Sequence, residues 1–177
     1  MLDKCSAKLL ELTINERTWS ELLRDAGAPP SSVYWHLRKL IKCGMVEARG
    51  RRRVRYRATL KGTVTCAALG CAGAIERTAD ELGVSLIEAA AIASAFMRIV
   101  DKENLDLMSI NLTREGLLGM ILAQVMVAPG NSLEEKVVNS LGDASLTPMV
   151  SKLLDREGEL LKRGVEGGGP NDDLNPL

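Results

Sequence analysis

The sequence predicts a mainly α-helical protein in two parts: three helices and a β-hairpin at the amino end, then an all-α remainder. Three observations predict it. Short amphipathic segments with capping residues at their ends run along most of the 177 residues. Period-two alternation of apolar and charged residues marks the stretch from Val46 to Ala58. The zero net charge also divides unevenly, with 14 Lys/Arg against 6 Asp/Glu in residues 1–62 and 9 against 17 in residues 63–177.

The first segment, "LDKCSAKLLEL", repeats Leu2, Cys5, Leu9 and Leu12 at helical spacing, as an amphipathic helix requires. "INER" interrupts it. "TWSELLRDAG" opens with Thr18 and Glu21 in capping-box spacing and closes at Gly27, which suits a left-handed helix end. "APP" turns the chain, and Pro30 suits the first turn of a third helix, "SSVYWHLRKLIKCG", closing at Gly44. "MVEAR" and "RRVRYRA" alternate on either side of Gly50 and predict a hairpin. Three helices followed by a hairpin is the order of a winged helix-turn-helix.

On the third helix, Val33, Leu37, Leu40 and Ile41 share the face expected to pack inward. Ser31, Trp35, Arg38 and Lys42 form the opposite stripe, flanked by Tyr34 and Lys39, with Ser32 beside Ser31 at the helix start. Small hydroxyls let a backbone approach phosphates or bases, Arg38 suits bidentate contact to guanine, and Lys42 suits a phosphate. His36, the single histidine, sits at the edge of the inward face and reads as a satisfied, partly buried side chain.

The hairpin holds six arginines between Arg49 and Arg57. In its second strand Val54, Tyr56 and Ala58 alternate with Arg53, Arg55 and Arg57, so one set faces the helices and the arginines project away. Arg49, Arg51 and Arg52 crowd the tip around Gly50. A solvated face normally mixes signs; this one asks for an anionic partner, and a polyphosphate duplex answers it by counterion release. A narrow minor groove also accepts an arginine from a wing tip.

"SSVYWHLRKLIKCGMV" resembles the recognition helix and following strand of arsenic-repressor-type (ArsR-like) and MarR-like winged-helix regulators, at Ser32, Val33, His36, Leu37, Leu40, Gly44 and Val46. "YRATLKG" is similar to the Tyr-x-x-Thr-x-x-Gly close of their wing, at Tyr56, Thr59 and Gly62. The resemblance spans residues 1–62. It implies a third helix in the major groove, a flanking wing, and a homodimer on a pseudo-palindromic site. The chain departs from these relatives in carrying Pro29 where a Ser or Thr cap is usual. It also lacks paired cysteines on the third helix, so metal sensing is not carried over.

Beyond residue 62, "TVTCAALGCAGAIERTADELG" reads as helix after a Thr59 cap, ended by Gly83. "SLIEAAAIASAFMRIVD" opens with a second capping box, Ser85 and Glu88, and its narrow polar stripe marks a buried or interface helix. "TREGLLGMILAQVMVAPG" follows with Thr113 as cap, then "SLEEKVVNSLG" and "TPMVSKLLDREGELLKRG". Roughly five helices are expected. Residues 63–164 are read as an all-α dimerisation domain, with effector binding as the second role, and residues 165–177 as a disordered tail.

Cys66 and Cys71, five apart on a helix, point to different faces; with Cys5 and Cys43 they read as small buried hydrophobes, a disulfide being the lesser reading. No metal site, cofactor motif or catalytic constellation is assembled, so no enzyme is expected. With no signal peptide and no apolar run of membrane-spanning length, the expected location is cytoplasmic.

The function expected is that of a homodimeric, sequence-specific regulator of transcription on double-stranded DNA. Its contacts would come from Ser31, Ser32, Tyr34, Trp35, Arg38, Lys39, Lys42, Arg49, Arg51, Arg52, Arg53 and Arg55. The alternatives are a low-specificity architectural or replication-associated DNA binder and a winged-helix protein-interaction module.

Overall fold

The computed structural model describes residues 2–166, with side chains to residue 159. Three helices come first: α1 (Lys4–Leu12), α2 (Trp19–Asp25) and α3 (Pro30–Lys42). Thr18 and Glu21 form the expected capping box on α2, and Pro30 occupies the first turn of α3. Asp3 caps α1, accepting a hydrogen bond from the Ser6 backbone N–H at 2.9 Å.

Strands β2 (Val46–Arg49) and β3 (Arg55–Ala58) pair antiparallel, with Val46 opposite Ala58 and Arg49 opposite Arg55. A third strand unforeseen in the sequence, β1 (Arg17–Thr18), pairs with β3 on its other edge, in the order β1-β3-β2. Two residues are too short for a period-two pattern; what places them is the Thr13 carbonyl oxygen accepting from the Ala58 N–H at 2.8 Å, which docks the end of α1 on the wing.

The second wing strand is shorter than its alternation suggests. Arg52, Arg53 and Val54 lie in the loop joining β2 to β3, where Val54 is exposed and does not pack on the helices. Continuing the ladder would set further arginines across from one another, as at Arg49 and Arg55, and facing like charges are unfavourable. A loop lets them splay.

Among the described residues six helices follow: α4 (Leu60–Ala68), α5 (Ala74–Leu82), α6 (Leu86–Lys102), α7 (Arg114–Val127), α8 (Leu133–Leu141) and α9 (Thr147–Glu166), with a 3-10 turn at Ala144–Leu146. The stretch from Thr63 to Gly83 is two helices because it turns at Gly70. There the Cys71 N–H donates to the Cys66 carbonyl at 2.9 Å and the Gly70 N–H to the Ala67 carbonyl at 3.1 Å, with Gly70 at a φ of +77°. This helix end folds the residue beyond the glycine back onto the last turn. Cys66 and Cys71 are joined there by a disulfide across a Cα–Cα distance of 5.2 Å. The expectation of unpaired cysteines on different faces is thereby corrected: it assumed a continuous helix, and the helix stops between them.

The hydrophobic core is continuous. Leu9, Leu10, Leu22, Val33, Leu37 and Leu40 fill the space among the first helices. Val64 and Cys66 of α4 carry the core into the second part, where Ile92, Phe96, Leu117, Ile121, Val137 and Val150 lie buried. Helix α4 runs unbroken across residue 62, where the two domains were expected to part. The expected tail falls outside the described residues from 167 onward, and residues 165 and 166 belong to α9. No single described helix is long and apolar enough to cross a membrane.

Candidate nucleic-acid interface

Helix α3 buries Val33, Leu37 and Leu40 against its neighbours. Ile41, expected with them, is 37% exposed. At about 100° per residue it lies at the rim of the stripe, next to Arg38 and Lys42. Ser31, Tyr34, Trp35, Arg38, Lys39 and Lys42 are all exposed. Trp35, at 60% exposure, lies under the Lys39 ammonium, 5.6 Å from ring centroid to Nζ, a cation–π distance. Tyr34 meets Trp19 of α2 edge-on with ring centroids 6.4 Å apart. Ser32 is half-buried, its Oγ 3.9 Å from Cys5 Sγ on α1, so it faces inward more than its neighbour Ser31.

Beneath this surface, His36 ties α3 to α1. Its Nδ1 lies 3.0 Å from Ser6 Oγ and 3.2 Å from Asp3 Oδ1. Partial burial pushes the Asp3 carboxyl up, but hydrogen bonds from the Ser6 backbone and hydroxyl, with His36 and Lys39 nearby, bring it below the usual aspartate value. The histidine is the partly buried, satisfied strut its position suggested.

The six wing arginines separate into two groups. Arg49 pairs with Glu47 along β2, Arg55 lies 3.7 Å from Glu16, and Arg57 lies 3.5 Å from Glu81 of α5, which Arg77 also holds at 2.8 Å. Arg51, Arg52 and Arg53 are exposed at the tip and have no acidic partner among the described residues. The acids were not legible as partners: Glu16 arrives through β1, and Glu81 is 24 residues from Arg57.

Two features close the wing onto α4. The Thr59 hydroxyl donates to the Gly44 carbonyl at 2.6 Å, and the Thr59 Oγ1 in turn accepts from the Gly62 N–H at 3.3 Å as the helix cap. Gly62 packs where a side chain would land on the Met45 carbonyl oxygen. The Thr-x-x-Gly spacing is therefore a packing device at the base of the wing. Lys61, between them, is 2% exposed and is not part of the exposed basic surface.

Among the described residues no three His, Cys, Asp or Glu side chains are grouped as a metal site would require. A three-helix unit with a small antiparallel sheet, a basic aromatic helix face and an arginine-tipped wing defines a winged helix-turn-helix, the DNA-binding module of transcription regulators. Residues 7–60 match the family model described as sugar-specific transcriptional regulator TrmB. The amino-terminal part of the chain is accordingly a winged helix-turn-helix domain of the TrmB type, and the match ends at the first residue of α4. No curated protein and no solved structure matches the chain significantly.

Proposed function

We propose that the chain is a sequence-specific regulator that binds double-stranded DNA as a homodimer, with α3 in the major groove and the wing tip against phosphates or in the minor groove. The observation that carries the reading is the division of the wing arginines. Those on the strands are matched with acids, and Arg51, Arg52 and Arg53, at the point reaching furthest from the strand pairing, are unmatched. Phosphate oxygens supply the missing negative charge, while Arg38 and Trp35 on α3 face base edges. Ser31, Lys39, Lys42 and Tyr34 flank them, and Ser32, Arg49 and Arg55 are supporting positions at the margins.

One winged helix buries too little surface for tight specific binding, so two copies are required. The exposed apolar residues at the start of α6, Leu86 and Ile87, and at the end of α7, Met126 and Val127, are the proposed contact surface.

Selecting bound fragments from pooled genomic duplexes tests the reading. A recurrent inverted repeat should emerge, and Arg38→Ala should relax the preference at one base position in each half-site. Recovery of fragments without any common sequence would replace specific regulation with low-specificity binding.

A further inference from the structure

Lys61 is among the largest fully buried side chains in the molecule, and it has no salt-bridge partner among the described residues. Its ammonium donates to three backbone carbonyls: Cys43 at 2.6 Å, Met108 at 3.2 Å and Ile110 at 2.8 Å. An ammonium has three donors, and all are used. Cys43 is the residue that ends α3. Met108 and Ile110 lie in the connection between α6 and α7, which Asp106 shapes by accepting from the Met108 N–H at 3.0 Å. The three acceptors are therefore the end of the DNA-facing helix and a loop of the helical half that lies nearly fifty residues beyond Lys61 in the chain.

We propose that Lys61 is a positioning residue for DNA recognition: its ammonium latches the end of α3 to the α6–α7 loop, so that the helical half fixes the angle at which α3 is presented. The inference rests on the DNA-binding reading above. Carbonyl oxygens at a helix end carry partial negative charge that a cation satisfies well. A buried ammonium without acceptors would be costly, so the loop and the helix end are held together as long as Lys61 is charged. Burial pushes its pKa below the usual lysine value, with Cys43 and Asp106 opposing the shift. The latch also gives the charge-divided molecule a path by which a displacement of residues 106–110 reaches the DNA-facing surface.

The test compares the full-length wild type with Lys61→Met and Asp106→Ala on a selected duplex and a random duplex of equal length. Lys61→Met keeps the apolar stem and removes the donors. It should lower the selected-to-random affinity ratio by about tenfold, the size of one lost base contact. The salt dependence should be unchanged, because no phosphate contact is lost. Amide hydrogen exchange should quicken at Cys43, Gly44 and Met45.

Asp106→Ala covers the case in which Lys61→Met fails to fold. Removing an acid near Lys39 and Lys42 should by charge alone strengthen binding to every duplex; loosening the loop should lower the selected-to-random ratio instead. A ratio unchanged in both variants, measured well below their melting temperatures, overturns the inference. A wild type that does not distinguish the two duplexes would instead overturn the DNA-recognition reading itself.

Discussion

At Gly62 the backbone of α4 comes so close to Met45 that a methyl group has no room, with Leu10 behind it. Gly62→Ala should therefore destabilise the protein by about 1–3 kcal/mol, as overpacking does elsewhere. Urea unfolding measures this, and an unchanged midpoint would show that the wing base yields. Arg57 makes a contrasting prediction. Because Glu81, which Arg77 also holds, already engages it, Arg57→Ala should leave the salt dependence of DNA binding almost unaltered while loosening the wing from α5. A fall in the salt slope by about one, the effect of losing a phosphate contact, would place Arg57 on the DNA instead. At this scale the sequence was legible where chemistry is local. The exposure of Trp35 and Arg38 follows from helical spacing, and so does the sheltered position of His36. Lys61 was not legible as a buried group, because its partners are backbone carbonyls on two distant elements and no side-chain pattern records them.

Helices α2 and α6 both begin with a reciprocal cap. The Thr18 and Ser85 hydroxyls accept from the N–H groups of Glu21 and Glu88, whose carboxylates accept in return from the backbone N–H and hydroxyl of the cap residue. These hydrogen bonds hold both carboxyls below the usual glutamate value of 4.5. A depressed carboxyl stabilises the fold above its unfolded pKa, and that contribution disappears as the pH falls through the folded value. Melting temperature should thus decline below about pH 4.5. Ser85→Ala should cost about 1 kcal/mol at neutral pH and should flatten the acid decline. Equal acid sensitivity in both proteins would contradict the assignment. Capped helices were the best-read elements for this reason: their signals lie within four residues. Strand β1 depended on a contact made at a distance, at Tyr56; the break between α4 and α5 is local, at Gly70, but a glycine within an apolar run does not by itself say that a helix stops there.

For the molecule as a whole, the charge split in the sequence corresponds to two surfaces joined by one core. The basic surface belongs to α3 and the wing, and the acidic share to helices that leave Ile87 at 72% and Val127 at 77% exposed. Sedimentation of the full-length protein should show a dimer, and Val127→Asp should shift it toward the monomer together with a loss of affinity for two-half-site duplexes. A monomer in the wild type at micromolar concentration would move the source of affinity to a single domain. The helical half was legible as helices and illegible as a tertiary arrangement, because apolar residues on most sides of α6 and α7 do not say which side meets which neighbour.

The most direct test of the central claim, that the wing-tip arginines rest on the phosphates of a duplex, is the salt dependence of DNA affinity in the wild type and in a variant with Arg51, Arg52 and Arg53 all changed to alanine. The account predicts a steep linear fall of log affinity with log salt in the wild type and a slope shallower by about three in the variant. Equal slopes, or no duplex binding by the wild type in dilute buffer, would contradict it.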